Sequence, residues 1–484
     1  MSLLKNTSYN FFGLIIPLLV SLITVPIYID WIGEVRYGIL AIAWLLLGYF
    51  GLFDLGLSRA TAQSIAQFDA EPPKQAEIFW TALSLNVAMG LLGGLIVWPI
   101  AVLFFEQYFV VDDAYRSEIL KAIPWLVMAV PLATLSGVLV GALQGRERFL
   151  ELNVISSSGT ILFQVLPLVA AALWSNNLSI LLPVAIFARV ITFIALGIAC
   201  RRHVSRNYSV TFDFQRAKKL LRFGGWVTIT SFVGPMMVIM DRFIIGALSG
   251  AKTVTYYTVP FQLAERTTVI ANALTTALFP RFAIEGEEKD MLLAKKSLCI
   301  LLLIITPPII IFILLMGPIL SWWINDDFSK AAALPGQIIL LGFWANSLAR
   351  VPYAQLQARG RPDIVAKCHL AELLPYLVLL YICLDYWGLP GAALAFSVRA
   401  AFDFILLASF SRIFDKVKFY IIIPFVLMLL AFVTAASLEV GEDVWVFTCM
   451  FLLVATLAWG VKSVPLDNMR YIVARLKTLV VSKR

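Results

Sequence analysis

Residues 187–194 read FARVITFI and residues 397–405 read SVRAAFDFI, so each stretch places an arginine inside a long apolar segment. An arginine at the centre of a bilayer costs roughly 2.5–3.5 kcal/mol on insertion scales, so Arg189 and Arg399 should face a protein interior or a hydrated cavity. The two arginines lie 210 residues apart, at matching places in two halves of the chain. We therefore expect a duplicated bundle of membrane helices around a cationic central cavity.

The composition indicates a membrane protein independently of these arginines. Of the 484 residues, 61% are hydrophobic and 14% are charged, whereas a soluble domain carries roughly 25% charged residues. The mean hydropathy is +0.88. The first apolar run, residues 9–29, contains no charge. It is longer than the roughly 7–15 residues of a signal-peptide core and no small-residue cleavage site follows it, so we interpret it as a retained first helix.

Segments of about 20 apolar residues are long enough to cross a bilayer, and the chain contains fourteen candidates. An outer-membrane barrel does not fit, because its strands alternate in hydrophobicity over about ten residues rather than staying apolar for twenty. We place the spans near 9–29, 37–58, 78–105, 122–143, 152–173, 178–199, 223–248, 254–280, 297–324, 332–355, 366–386, 389–410, 419–438 and 444–462. The turn between the fifth and sixth spans is predicted at residues 174–177, Trp-Ser-Asn-Asn, because Ser and Asn bond their own backbone in tight turns.

The positive charges are concentrated in alternate loops. With fourteen spans, both termini fall on the same side as the basic stretches 200–222, 281–296, 359–367 and 412–418. The positive-inside rule assigns that side to the cytoplasm. The formal net charge of +8 is thus explained by short cytoplasmic loops rather than by a nucleic-acid surface, which would need a continuous basic stripe.

A second match between the halves follows the fourth and the tenth predicted spans. Residues 143–148 read LQGRER and residues 356–361 read LQARGR, an offset of 213. Six spans per half, both entered from the cytoplasm, form a parallel repeat about an axis along the membrane normal, with the substrate path between the halves. We predict an N-terminal lobe at 1–200, a cytoplasmic linker at 201–222, a C-terminal lobe at 223–413, and two extra helices with a tail at 414–484. Amphipathic stretches near 212–223 in the linker and near 469–480 in the tail are typical of helices that lie on the inner leaflet.

The predicted cavity cations are all arginines. A guanidinium binds phosphate through paired, charge-assisted hydrogen bonds that an ammonium cannot reproduce. Arginine is also favoured in buried ion pairs, so the preference is compatible with either role. The candidates are Arg59, Arg189, Arg242, Arg266, Arg350 and Arg399.

Two helices show polar stripes at helical spacing. On the eighth span the stripe Gln262, Glu265/Arg266, Val269, Asn272 and Thr276 recurs every three or four residues, and on the tenth Asn346 and Arg350 do the same. A face that lines a cavity explains such stripes. Hydrogen bonding between helices inside a bundle uses the same residue types and remains the alternative.

Acidic residues within the predicted spans have two interpretations. They can neutralise arginines, or they can carry H⁺ or Na⁺ and couple transport to an ion gradient. Arg399 and Asp403 are spaced for an i,i+4 pair. Asp241 and Arg242 are adjacent and project about 100° apart, so we expect their partners on other helices. The candidates are Asp54, Asp241, Glu265, Glu372 and Asp403, of which Asp54 has a third interpretation, as a residue that ends or bends the second span.

The opening of the chain resembles a known superfamily. Residues 6–10, 26–29 and 32–38, together with 51–57 and the LQGR after the fourth span, are similar to polysaccharide flippases of the multidrug/oligosaccharidyl-lipid/polysaccharide exporter superfamily, which includes Wzx-type O-antigen flippases. The resemblance implies fourteen helices, two six-helix lobes around a central cavity, and movement of undecaprenyl-diphosphate-linked glycans from the cytoplasmic to the periplasmic leaflet of the bacterial inner membrane. It also implies polysaccharide polymerase and chain-length proteins as partners.

Other classes of function fit the sequence less well. The five cysteines have neither metal-ligand nor CxxC spacing, and both histidines are predicted in or beside cytoplasmic loops, so we expect no metal, cofactor or disulfide. A glycan polymerase or ligase usually carries a large periplasmic loop that is missing here. A cation-coupled multidrug exporter of the same superfamily is the main alternative, although it typically stops at twelve helices. The sequence does not identify the glycan, the coupling ion or the oligomeric state.

Overall fold

A computed structural model describes residues 3–49, 54, 56–68, 71–206, 208–284, 287–438, 441 and 443–463. Within these residues the chain is helical and contains no β-strand. Ten of the described helical segments are long and apolar enough to cross a membrane. The chain is therefore an all-α polytopic membrane protein, as predicted, and the number of fourteen spans stays a prediction.

The helices are numbered in chain order, with one short π-helical turn at Phe104–Tyr108 after the third. They are α1 Leu3–Tyr49, α2 Leu57–Gln67, α3 Pro72–Leu103, α4 Asp113–Gly145, α5 Phe149–Leu173, α6 Leu178–His203, α7 Phe214–Glu265, α8 Thr268–Ile284, α9 Glu287–Trp323, α10 Asp326–Ala358, α11 Pro362–Phe410, α12 Phe414–Ser437 and α13 Asp443–Ser463. By contacts between Cα atoms they group into two compact units, Met1–Thr255 and Tyr256–Arg484.

Three helices contain a glycine at which the chain turns sharply without a loop. Gly33 in α1 has φ 81° and ψ 160°, and Gly250 in α7 has φ 83° and ψ 171°. Gly388 in α11 has φ 59° and ψ −142°. A residue with a Cβ is strained at such positive φ values, so glycine is the residue these turns require. Gly33 and Gly250 follow the first predicted span of each half, and their matching backbone angles support the internal repeat.

The turn at Gly33 is held by ion pairs to distant parts of the first unit. Arg36 reaches Glu118 at the start of α4, with an Nη2–Oε1 distance of 2.7 Å. Glu34 pairs with Lys252, just after the Gly250 turn, at 2.9 Å. The Oγ1 of Thr255 also donates to the backbone oxygen of Glu34 at 2.6 Å. These contacts join the two equivalent glycine turns to each other.

Two predicted spans are not continuous helices. The span 37–58 ends with α1 at Tyr49, and α2 begins separately at Leu57. The Asp54 carboxylate accepts the backbone N–H of Gly56 at 2.7 Å and that of Ser58 at 3.3 Å, so it caps the new helix. The span 254–280 is divided where α7 ends at Glu265 and α8 begins at Thr268. These breaks correct the prediction of uninterrupted second spans in the two halves.

The connection after α5 agrees with the prediction, and the linker is shorter than predicted. Residues 174–177 form the turn, and the Asn177 side chain accepts the Ser179 backbone N–H at 2.8 Å to cap α6. Helix α6 continues to His203 and α7 begins at Phe214, so the amphipathic stretch 212–223 forms the first turns of α7 rather than a separate helix. The predicted tail helix at 469–480 lies outside the described residues.

Small residues allow the helices of each unit to pack closely. In the first unit a Cβ on Gly137, Gly141 or Gly145 of α4 would collide with atoms of α2, among them the Ser58 backbone. In the second unit a Cβ on Gly342 of α10 would collide with Phe396 of α11. Close approach through small residues is the usual packing of membrane helices, in which the surrounding lipid supplies no hydrophobic driving force.

Candidate functional site: two arginine environments

Arg189 lies on α6 and is exposed, although its neighbours along the chain are apolar. The exposed apolar side chains of this helix, Phe187, Ile191, Ile194 and Ile198, lie within one narrow stripe. Arg189 projects about 200° around the helix axis from Phe187, on the opposite side. Arg189 therefore leaves α6 on the side that faces away from the apolar stripe.

The Arg189 guanidinium is held by an aromatic ring. Its central carbon lies 4.5 Å from the centroid of Phe163 on α5, within the range of a cation–π contact. In the part of the chain that the structure describes, no carboxylate is recorded in an ion pair with Arg189. Its positive charge is thus oriented by the ring but not neutralised by any carboxylate among the described residues.

Phe163 is fixed in turn by other aromatic residues. Its ring packs on Trp44 with centroids 5.8 Å apart, and Trp44 packs edge-on against Tyr28 at 5.1 Å. The Tyr28 hydroxyl donates to the backbone oxygen of Gln164 at 2.6 Å, which joins α1 to α5. This support holds the guanidinium in place before any ligand binds, which lowers the entropic cost of binding.

Arg399 on α11 has a different environment. It is buried, with 9% exposure, and its guanidinium lies 5.3 Å from the Tyr376 ring centroid and 5.5 Å from that of Phe396. Glu372, one turn before Tyr376, interacts electrostatically with Arg399 and with Asp403. The positive charge of Arg399 is therefore held inside the unit beside two carboxylates.

The acids around Arg399 are themselves deeply buried. Glu372 is 2% exposed and Asp403 is 5% exposed. Within the described residues neither Glu372 oxygen has a hydrogen-bond partner. The Nε2 of His369 lies 3.4 Å from Asp403 Oδ1, and the His369 ring stacks on Tyr353 of α10. Two carboxylates share one arginine, so a proton or a small cation would balance the remaining negative charge.

His369 is the member of this cluster that the sequence analysis missed. It was predicted in or beside a cytoplasmic loop, but it lies within α11 and most of its side chain is buried. The signal was the i,i+3 spacing of His369 and Glu372, which places both on one helical face. This spacing was overlooked because the neighbouring residues were assigned to a loop.

Asp241 and Arg242 contact each other directly, and the expectation that they have partners on other helices stays a prediction. The Arg242 Nη1 donates to both oxygens of Asp241, at 2.7 and 2.8 Å, and both side chains are buried. The Cβ atoms of adjacent residues diverge, but the long arginine side chain bends back and brings its guanidinium to the neighbouring carboxylate. This arginine is thus already neutralised, which weakens its candidacy as a substrate cation.

The remaining candidates are placed near helix breaks or on partly accessible faces. Glu265 and Arg266 are exposed at the junction of α7 and α8, and Asn272 is exposed on α8. Arg59 is exposed on α2, just after the other break, whereas Asp54 is buried and serves as the cap. The partly accessible residues are Gln262 on α7, and Asn346 and Arg350 on α10. For α8, this exposure favours a cavity face over hydrogen bonding between helices.

The helices describe a polytopic membrane protein, and comparisons with known proteins identify its class. Residues 3–284 match a family described as "Polysaccharide biosynthesis protein". The chain is also 31% identical over 412 residues to a protein of Shigella flexneri described as "Putative O-antigen transporter", with 84% of this chain and 97% of that protein covered.

Solved structures share the fold at low sequence identity. A multidrug resistance transporter of the MATE family and MOP superfamily superimposes with a TM-score of 0.69 at 14% identity, covering 84% of this chain and 98% of that one. The lipid II flippase MurJ gives a TM-score of 0.68 at 13% identity, covering 94% and 98%. The chain belongs to the polysaccharide biosynthesis protein family, and it is a transporter rather than an enzyme.

Proposed function

We propose that this protein is a flippase for undecaprenyl-diphosphate-linked oligosaccharides. It moves a repeat unit of O-antigen, capsule or exopolysaccharide from the cytoplasmic to the periplasmic leaflet of the bacterial inner membrane by alternating access. The observation that carries the proposal is Arg189, an arginine within the apolar helix α6 that packs on Phe163 and that no described carboxylate neutralises. The similarity to the O-antigen transporter of Shigella flexneri supports it.

The three parts of such a substrate place different demands on the carrier. The diphosphate requires fixed cations, the glycan requires a hydrated path, and the prenyl chain can stay in lipid. Arg189 supplies a planar donor that fits a phosphate with two parallel hydrogen bonds. Arg59 and Arg266, exposed on helices that begin or end at breaks, add positive charge along the path. The exposed Asn272 offers the glycan hydroxyls a polar contact.

Coupling to an ion gradient is assigned to the cluster around Arg399. Glu372 and Asp403 carry two negative charges beside one arginine. Taking up H⁺ or Na⁺ would make the cluster neutral, and releasing it would leave a buried carboxylate that must find another partner. Such a charge imbalance can favour one conformation of the helices over another.

Substitution of Arg189 tests the proposal directly. Arg189→Ala should weaken binding of a prenyl-diphosphate glycan about 100-fold, because two charge-assisted hydrogen bonds are lost. In cells it should stop surface glycan from appearing and cause the lipid-linked repeat unit to accumulate. The matched control is Arg206→Ala, an exposed arginine after α6, which should export normally. Normal export by Arg189→Ala would overturn the proposal, and loss of drug efflux with intact glycan export would favour a multidrug exporter.

The orientation in the membrane has its own test. Reporter fusions after Arg206 and Arg361 and at Arg484 should report the cytoplasm, whereas fusions at Asp112 and Asp326 should report the periplasm, because the basic loops face inward. A periplasmic C-terminus would contradict the count of fourteen spans.

A further inference from the structure

A separate cavity lies in the first unit, where the end of α2 meets the start of α3 and the first turns of α7. Its volume is about 150 Å³, and the residues that line it include Gln63, Ser64, Gln67, Phe68 and Arg216. A cavity of about this size accepts a six-membered ring. Because α2 ends at residue 67 in the predicted cytoplasmic loop, the cavity lies on the side from which a lipid-linked glycan enters.

The walls of this cavity combine polar and apolar groups. One wall carries the amides of Gln63 and Gln67 and the hydroxyl of Ser64, and these groups can both donate and accept hydrogen bonds. Phe68, Ile78 and Leu220 supply aromatic and aliphatic surface. A pyranose ring also combines polar and apolar groups, with hydroxyl groups around its edge and C–H groups on its face.

The charged side chains around the cavity compensate one another, which favours a neutral ligand. Arg216 is its cation, but the Arg216 Nε lies 2.6 Å from Glu77 and 3.9 Å from Asp213. Asp213 also caps α7, where the backbone N–H of Arg216, together with that of Gln215, lowers the pKa of the Asp213 carboxyl. Since two acids already compensate Arg216, a phosphate would gain little there, whereas uncharged hydroxyl groups can still use the amides.

The cavity continues the accessible face of α2. Arg59, Gln63 and Gln67 follow one another at i,i+4 spacing and are all exposed, which places them on one face at about one helical turn per step. In a lipid-linked glycan the first sugar is bonded directly to the diphosphate. A sugar ring held at Gln63 and Gln67 therefore leaves its phosphate beside Arg59.

We propose that this cavity binds the first, uncharged sugar ring of the lipid-linked glycan and that Gln63, Gln67 and Phe68 contribute to the choice of glycan. The inference rests on the proposed flippase function and adds the sugar class that the entry site accepts. It separates two kinds of recognition: the arginines bind the diphosphate that all such substrates share, and this cavity distinguishes the sugars attached to it.

Paired probes test this assignment on the purified full-length protein. One probe is a short-chain prenyl diphosphate that carries a single N-acetylhexosamine, and the other is the same prenyl diphosphate without sugar. The double variant Gln63→Ala/Gln67→Ala should bind the sugar-bearing probe about tenfold more weakly, because amide hydrogen bonds are lost. Its affinity for the sugar-free probe should be unchanged. Gln107→Ala, an exposed glutamine outside the cavity, is the matched control and should bind both probes normally.

A second measurement does not depend on the lipid. Ser64→Cys should react with a small maleimide, and the methyl glycoside of the same sugar should slow that reaction at least about threefold, with the parent protein labelled in parallel. If the wild type binds neither prenyl diphosphate, the proposed function fails, and protection of Ser64→Cys alone decides whether the cavity binds sugar. Absence of protection, or an unchanged affinity of the double variant for the sugar-bearing probe, overturns the proposal.

Discussion

Arg189 and Arg399 occupy matching positions in the sequence repeat, yet the residues around their guanidinium groups differ. Arg189 is accessible and rests on the Phe163 ring. Arg399 is 9% exposed and lies beside Tyr376 and the carboxylate of Glu372. Under the proposed function the two arginines have different tasks: Arg189 binds an external anion, and Arg399 belongs to an internal charge cluster.

The difference between the two arginine environments follows from a few neighbouring side chains. Glu372 and Asp403 supply negative charge near Arg399, and His369 approaches Asp403 at 3.4 Å. Around Arg189 the corresponding contact is an aromatic ring that carries no charge. A duplicated fold can therefore keep an arginine in both copies while the neighbouring residues decide whether its charge is neutralised.

The largest expected effect is on stability, at Arg399. Arg399→Ala leaves two buried carboxylates without their arginine and should cost about 3–5 kcal/mol, the usual penalty for removing one partner of a buried charged group. Arg189→Ala should leave stability close to that of the wild type, because Arg189 neutralises no described acid. Thermal unfolding in detergent and protein abundance measure both variants.

A double variant separates charge from packing at the same site. Arg399→Ala/Asp403→Ala removes one acid with the arginine and should recover a large part of the lost stability. If Arg399→Ala alone is as stable as the wild type, the internal cluster does not depend on this arginine and the contrast between the halves disappears.

The next largest effect is expected on the transport rate when Glu372 is substituted. Glu372→Gln keeps the shape of the side chain but cannot release a proton or attract a cation, so it should abolish gradient-driven flipping while substrate affinity stays unchanged. Transport into proteoliposomes with and without an imposed ion gradient provides the measurement. Asp113→Asn, at the exposed start of α4, is the matched control, and gradient-driven transport by Glu372→Gln would exclude this residue from coupling.

A smaller loss of affinity is expected when a substitution at residue 189 keeps the positive charge. Arg189→Lys retains the positive charge but loses the paired donors, so affinity for the prenyl-diphosphate probe should fall about tenfold. Equal binding by the lysine and arginine forms would show that the charge alone suffices.

The smallest effect is expected at the aromatic support. Phe163→Leu removes the ring under the Arg189 guanidinium, a contact of about 0.5–1 kcal/mol, so affinity should fall roughly two- to fivefold. Phe187→Leu, on the exposed apolar stripe of the same arginine's helix, should bind as the wild type does. An equal loss in both variants would mean that Phe163 acts through packing rather than through Arg189.

The sequence predicted those features that depend on long, repeated patterns. Apolar runs identified the membrane helices, and the duplicated bundle that the two matched arginines indicate stays a prediction. The turn at residues 174–177 was also predictable, because Ser and Asn bond to nearby backbone groups regardless of the rest of the fold.

The features that the sequence did not reveal depend on individual side-chain conformations. Arg242 bends back onto Asp241, which helical spacing does not indicate. The helix break before Leu57 needs Asp54 to turn toward the backbone of Gly56. The approach of His369 to Asp403 depends on how the two parts of α11 fold back at Gly388. In each case the side chain could adopt several conformations, and the packing around it selects one of them.

The glycine turn at Gly33 has a consequence for how the chain is inserted into the membrane during synthesis. A single residue separates the two parts of α1, so they enter the bilayer as one hairpin. The charged residues at its tip, Glu34 and Arg36, find their partners in Lys252 and Glu118, which the ribosome makes much later. The partner of Arg36 lies 82 positions later in the chain and that of Glu34 lies 218 positions later, so these two ion pairs form only after α4 and the second part of α7 have been made.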